Sequence, residues 1–312
     1  MQRRALLGLA LATPFLGRAA QAQAPAQDQA APLPVVASFS ILGDMLRQIG
    51  GAAVAVRSIA GPDVDAHSFQ PRPSDAQALR EAKLLLRNGL GFDGWVDRLA
   101  RSAGYAGPVA TATEGVTPRR MEEAGGHGHG HGHSHGSQDP HAWQDLRNGQ
   151  IYARNIGEAL AQADPARAGS FRAAAAAYAA RLAELDAWVR QQIATVPEAR
   201  RKVVTSHDAF GYFAAAYGVR FLAPQGVSTE SEPSAAQVAR LIRTLKQENI
   251  TALFLENMAN PATLNRLAAE AGVTVRGRLY ADALSAADGP APTYEAMLRH
   301  NVGLLVPAMR GN

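Results

Sequence analysis

From Leu33 onward the chain alternates short apolar runs rich in β-formers with stretches of helical period. The runs Pro34–Phe39, Ala53–Ile59, Lys83–Arg87 and Val109–Ala112 predict strands. Helical periods over Ile41–Ile49, Pro73–Ala82 and Gly94–Arg101 fall between or after them. A histidine- and glycine-rich stretch, residues 125–138, then interrupts the pattern, and nothing in it supplies a packed element. A helix over Asn148–Ala163 follows. The alternation later resumes with strands predicted at Lys202–Thr205, Arg220–Leu222, Thr251–Glu256, Thr274–Tyr280 and Val302–Val306. Helices at Phe210–Tyr217, Ser234–Glu248 and Pro261–Ala271 separate them. Strands alternating with helices over such short connections imply parallel α/β sheets.

Between the two series lies one long helical stretch, from Asp164 to about Ala194. Asp164 suits an N-cap and Pro165 the first helical position. The segment FRAAAAAYAARLAELDAWVRQQIA holds strong helix formers and no Gly or Pro. About 30 residues at ~1.5 Å each reach roughly 45 Å, longer than one small domain is wide, so the helix reads as a spacer or backbone rather than a local packing element. The predicted architecture is two (β/α) lobes with parallel-type sheets joined by one long rigid helix.

The first residues read as a processing segment. Met1-Gln2-Arg3-Arg4 is a basic start, Ala5–Gly17 an apolar run, and Ala20-Gln21-Ala22 or Ala22-Gln23-Ala24 a small-x-small cleavage site. The apolar run is too short to span a bilayer, and the paired arginines leave twin-arginine export open beside the general secretory route. The division that follows is a signal peptide over 1–24, a Pro/Ala/Gln tether over 25–32, an N-terminal lobe over 33–163 carrying the His-rich loop, a linker helix over 164–198 and a C-terminal lobe over 199–312.

Three of the 31 basic residues (Arg3, Arg4 and Arg18) lie in the leader, so the remainder nearly balances the 27 acidic ones and argues against a nucleic-acid partner. The chain has no cysteine, which excludes disulfides, thiolate metal sites and a lipidated thiol. A soluble, monomeric periplasmic protein that is not a lipoprotein is the expectation.

Six of the nine histidines fall between Gly125 and Trp143, in GGHGHGHGHSHGSQDPHAW. Neutral imidazole is the commonest protein metal ligand. His127, His129, His131, His133 and His135 alternate with Gly or Ser, whereas His141 sits in the stiffer Asp139-Pro140-His141-Ala142-Trp143. His67, His207 and Asp282 each occupy a loop just after a predicted strand. Open parallel sheets bind ligands outside the carboxyl ends of their strands. Three imidazoles and a carboxylate brought together would make a closed N₃O site suited to Zn²⁺. Each residue also has an ordinary reading: a loop histidine as surface polarity, Asp282 as a turn or cap, His300 as a group near a helix end. Spacing alone does not join four positions so far apart.

The elements GPDVDAHSFQPRPSD, QDPHAWQD, SHDAFGYF and YADALS, in this order, resemble the solute-binding proteins of bacterial zinc/manganese ABC importers. VVASFSILGDMLRQIGG and NGLGFDGWVDRL extend the resemblance, which runs from about Leu33 to the C-terminus. It implies two lobes bridged by a rigid helix, with His67, His141, His207 and Asp282 holding a metal in the cleft. It also implies a membrane permease and a cytoplasmic ATPase as partners, and no enzymatic activity.

Manganese members of the family resembled typically carry Glu at the position of His207. An imidazole-rich set suits Zn²⁺, and the His-rich insertion is likewise a feature of zinc members. Asp65-Ala66-His67 stands where many members have Asp-Pro-His, so Asp65 becomes a candidate for orienting His67. Glu256 is a further candidate near the cleft, with a purely structural role as the alternative. The five loop histidines are expected to be an auxiliary, weaker metal collector. Rival readings are a manganese-specific binder, a periplasmic zinc buffer or chaperone without a transport role, and a zinc hydrolase. The hydrolase is disfavoured because the sequence has neither an HExxH signature nor a GxSxG elbow and four donors leave no open position for water.

Overall fold

A computed structural model describes residues 31–120, 138–226, 229 and 233–311. The signal peptide, most of the tether and the histidines from His127 to His135 lie outside the described residues. Among the described residues no helix is long and apolar enough to cross a membrane.

The first lobe runs β1 (Leu33–Phe39), α1 (Ser40–Gly50), β2 (Val54–Ala60), α2 (Pro73–Glu81), β3 (Leu84–Arg87), α3 (Trp95–Ala103) and β4 (Val109–Thr111). Its four strands are parallel in the order β2-β1-β3-β4. Two helices follow, α4 (Leu146–Ala163) and α5 (Ala168–Ala194). The second lobe runs β5 (Lys202–Val204), α6 (Gly211–Tyr217), β6 (Arg220–Leu222), α7 (Ala235–Glu248), β7 (Leu253–Glu256), α8 (Pro261–Ala271), β8 (Val275–Leu279) and α9 (Tyr294–Arg310). Its sheet is parallel in the order β6-β5-β7-β8, the same winding as the first. In each sheet the chain reverses its direction of winding between the first and third strands, where α/β folds bind ligands.

Strand alternation sets the packing. On β5, Val203 joins a large core shared with the first lobe, while Val204 faces a smaller cluster with Leu241, Leu245, Leu264 and Leu267. The large core is continuous: it links Phe39, Leu42 and Met45 through Ile156 and Tyr178 to Phe213 and Leu305.

The long helix differs from expectation in two respects. Asp164 and Pro165 do act as a cap and first position, but of a single 3₁₀ turn, Pro165–Arg167; the α-helix begins at Ala168. Nor is it a bare spacer. It turns back along α4 and also packs on α1, α6 and α9. Its stripe Phe171, Ala175, Tyr178, Leu182, Leu185, Val189 and Ile193 is buried at three- and four-residue intervals. At Gly157 on α4 a Cβ would overlap that of Ala175, so the glycine permits the close approach of the two helices. At ~1.5 Å per residue α5 is about 40 Å long and touches elements of both lobes.

The strand predicted at Val302–Val306 is absent: those residues belong to α9. Their aliphatic, β-branched content suggested extension, but Met297, Leu298, Asn301, Val302, Leu305, Val306 and Met309 are buried at helical spacing. Thr293 caps the helix by accepting the Ala296 N–H at 3.1 Å. His300 accordingly lies within α9 rather than at its end, with Nε2 3.0 Å from the carbonyl oxygen of Arg278 and its ring against Tyr280.

Candidate metal centre

Four segments bring His67, His141, His207 and Asp282 together, with one ligating atom of each within 4.8 Å of the others. Among the described residues this is the one group of three or more such side chains so placed. His67 follows β2, His141 precedes α4, His207 follows β5 and Asp282 follows β8. The side chains of His141, His207 and Asp282 are fully buried and that of His67 is 6% exposed.

The His67 loop is held from both sides of its donor. Asp65 Oδ1 accepts the His67 backbone N–H at 2.8 Å, and its other oxygen accepts hydroxyls from Ser68 and Thr229 at 3.0 and 2.6 Å. Asp65 therefore orients the backbone of His67 and not its ring. Ala66 is buried, and its carbonyl accepts the Trp95 indole N–H at 2.8 Å, which stiffens a loop that has no proline at this place.

His141 sits in the same kind of turn. Asp139, also two residues upstream, accepts the His141 backbone N–H at 3.0 Å, and it reaches the ring Nδ1 at 2.8 Å. Asn88 secures this turn from the end of β3 by donating to the Pro140 carbonyl at 3.0 Å. Gly211, at the start of α6, lies so close that a Cβ would overlap Asp139 Oδ2.

His207 occupies the switch point of the second sheet, beyond β5, with Glu256 at the end of the adjacent β7. Glu256 Oε1 accepts the backbone N–H of Ser206 at 2.8 Å and of His207 at 3.1 Å, and Oε2 pairs with His207 Nδ1.

Two carboxylates thus take the Nδ1 side of two imidazoles, which leaves Nε2 as the lone-pair nitrogen of each. The Nε2 atoms of His67 and His207 lie 3.2 and 3.0 Å from Asp282 Oδ2, and that of His141 lies 3.5 Å from Oδ1. His67 Nε2 and His141 Nε2 are only 3.2 Å apart. Despite this crowding, His207 Nε2 and both oxygens of Asp282 have no aligned hydrogen-bond partner. Buried polar atoms are rarely left so, and a cation among them would satisfy all four donors. Phe92 packs edge-on against the rings of His67 and His141 and Trp143 against that of His141, with Phe39 behind Phe92 and Trp143, keeping the centre apolar on that side.

The electrostatics of the metal-free cluster follow from this geometry. Burial opposes charge on His141, but Asp282 and Asp139 outweigh it and push its pKa up to about 9. Burial likewise opposes charge on His207, where Glu256 and Asp282 prevail and hold it well above the usual imidazole range. Burial favours the neutral acid at Asp282, yet His141 and His207 hold it well below the usual carboxylate range. Protons therefore occupy the cluster when metal does not.

Residues 35–308 match the profile of the family described as zinc-uptake complex component A, periplasmic. The chain belongs to this family of metal-binding solute-binding proteins of ABC importers. It is 32% identical over 277 residues to the manganese-binding lipoprotein MntA of Halalkalibacterium halodurans, covering 89% of this chain and 88% of that one. To the iron-binding protein YfeA of Yersinia pestis it is 31% identical over 302 residues, covering 97% and 94%. The solved structure of the periplasmic zinc binding protein TroA from Treponema pallidum superposes with a TM-score of 0.81 at 30% identity, covering 89% and 99%. Family membership establishes an extracytoplasmic metal-binding protein that works with a permease and an ATPase. Its relatives are named for zinc, manganese or iron, so the donors of this chain must argue the choice of ion.

Asp139 escaped the sequence reading, although Asp-x-His occurs at both His67 and His141 with identical spacing. The repeat signals the shared backbone turn. Only the fold decides that Asp139 also reaches its ring while Asp65 turns to Ser68 and Thr229.

Proposed function

We propose that the protein captures Zn²⁺ in the periplasm through His67, His141, His207 and Asp282 and delivers it to an ABC permease for uptake. The observation that carries this reading is the convergence of three buried imidazole nitrogens on one buried carboxylate, with His207 Nε2 and Asp282 left without hydrogen bonds. Three neutral nitrogens and one oxygen suit a tetrahedral zinc site, whereas Mn²⁺ favours oxygen-rich sets. A filled four-donor shell has no position for a reactive water, so the site is a carrier and not an enzyme.

The chain is read as a lobe at 33–163, a linker at 164–198 and a lobe at 199–312, acting as a monomer. Export through the N-terminal segment without lipid attachment fits a sequence that contains no cysteine. His127, His129, His131, His133 and His135 serve as an auxiliary, weaker collector upstream of His141.

Competition of Zn²⁺ against Mn²⁺ with metal counting, on intact protein and on protein lacking 125–136, tests the reading. One tight zinc per chain should persist in both, and the weaker additional zinc should vanish with the deletion. Tighter manganese than zinc would overturn the assignment of cargo.

A further inference from the structure

Asn257 follows β7 and belongs to no ligand loop, yet its side chain reaches two of them. Its Nδ2 donates to Asp63 Oδ1 at 2.9 Å, four residues before His67, and to the Ala283 carbonyl at 3.2 Å, one residue after Asp282. Both neighbours are acceptors, so a group with two protons to give, such as an amide NH₂, is what serves them together. The Asn257 backbone is fixed separately, its N–H donating to the Leu279 carbonyl of β8 at 3.1 Å. The same two loops meet again where the Asp63 N–H donates to the Leu284 carbonyl at 2.9 Å. Asp63 holds a φ of 54°, in the left-handed region, which a non-glycine residue keeps where its surroundings fix it.

We infer that Asn257 is a positioning residue for His67: from the second lobe it clips the His67 loop of the first lobe to the Asp282 loop, and so slows loss of the bound ion. The inference rests on the zinc-binding reading above. His67 is the donor that most depends on such a clip. Its side chain is 6% exposed while those of the other three are fully buried. Carboxylates reach the ring Nδ1 of His141 and of His207, whereas Asp65 binds the backbone of His67 and the hydroxyls of Ser68 and Thr229. The His67 ring is therefore placed through its backbone, which Asn257 and Leu284 hold at Asp63. Freed at Asp63, the loop lets the outermost donor lift away while His141, His207 and Asp282 keep their own supports. Dissociation should then quicken while association changes little.

The test compares Asn257→Ala with Asn260→Ala, which removes a different bond from the same connection, the α8 cap in which Asn260 Oδ1 accepts the Ala262 N–H at 3.0 Å. Zinc release is followed by stopped flow into excess chelator, and amide hydrogen exchange is followed in the metal-free protein. Asn257→Ala should release zinc about tenfold faster, at the low end of the range for groups that orient a ligand, and its Asp63 N–H should lose protection. Asn260→Ala should lose protection at Ala262 but keep wild-type release and a protected Asp63 N–H. At the other end of the clip, Asp63→Gly accommodates the positive φ but lacks the acceptor, and should also release zinc faster. Asp63→Asn keeps an acceptor oxygen and should release zinc at the wild-type rate. Wild-type release from Asn257→Ala, or equal acceleration by Asn260→Ala, would overturn the inference. So would release from Asp63→Asn as fast as from Asp63→Gly. If Asn257→Ala fails to fold, the two Asp63 variants still decide. Absence of zinc binding by wild type would instead refute the proposed function, and exchange at Asp63 would then decide the clip alone.

Discussion

The indole N–H of Trp143 donates to the carbonyl of Ala281 at 2.9 Å, tying the turn after His141 to the residue before Asp282. Gln144 donates to the same oxygen at 2.9 Å, so two residues of the first lobe hold one carbonyl of the second. Nearby, Leu284 donates to Ser40 Oγ at 3.0 Å and Asp63 donates to the Leu284 carbonyl at 2.9 Å. The Asp282 loop thus follows the second sheet in sequence, where Asn257 and Asn301 hold its flanks, but is anchored on the first lobe as well. Trp143→Phe keeps an aromatic ring but loses one of two bonds and part of a fully buried side chain, so its cost should be about 1–3 kcal/mol in thermal unfolding of the metal-free protein. Trp143→Phe with Gln144→Ala leaves the buried carbonyl unpaired and should cost more than the sum of the single changes. Additive losses would show that the two bonds are not redundant.

Metal affinity and metal-free stability should respond to pH in opposite senses. The pKa of His141 is raised from an ordinary value near 6.5 to about 9, and that of His207 is raised as well. The stability their protonated forms contribute to the metal-free protein is fully present below about pH 6.5 and is lost as pH rises through about 9 for His141. Zinc must displace those protons, so its apparent affinity should rise about tenfold per pH unit for each proton displaced, between roughly pH 6.5 and 8.5. Titrations in buffers of different ionisation enthalpy measure the protons released. Zero release at pH 7 would contradict the charge distribution of the cluster.

The sheets and most helices were legible in the sequence because their signals are local. Arg220–Leu222 and Pro261–Ala271 coincide with their predicted bounds, and the two parallel windings follow from strand–helix alternation. Val302–Val306 misled because β-branched composition says nothing about the tertiary surface that α9 covers on β8 and α5. The four candidate donors were recognisable from motifs, but what orients each of them was not. Glu256 lies 49 residues from His207 and reaches it only because β5 and β7 are neighbours in the sheet. Asp139 is local to His141, yet its contact with the ring depends on the closeness of Gly211 and on Asn88 holding Pro140.

Gly211 offers a test of that support that leaves every donor in place. A Cβ at this position would overlap Asp139 Oδ2, and the backbone of α6 cannot yield without disturbing Phe213 in the core. Gly211→Ala should therefore displace Asp139 and loosen the His141 ring, lowering zinc affinity within the roughly 10–100-fold range expected for groups that orient a ligand. Thermal unfolding of the metal-free variant should fall by only about 1–3 kcal/mol, the usual cost of overpacking. Affinity equal to wild type would mean that Asp139 does not govern the ring.

Asp282→Asn separates the two tasks of the carboxylate. In the metal-free state Asp282 balances charge on His141 and His207, and in the loaded state it would supply the one anionic donor. An amide of the same shape keeps the volume while removing the charge. Zinc affinity should fall by more than for Gly211→Ala, because a donor is lost rather than loosened. The pKa values of His141 and His207 should fall too, though not to the ordinary range, since Asp139 and Glu256 remain beside them. Fewer protons would then be released per zinc bound at pH 7, and the decline in metal-free stability should begin at lower pH. Proton release and pH profile identical to wild type would show that Asp282 does not set the charge of the cluster.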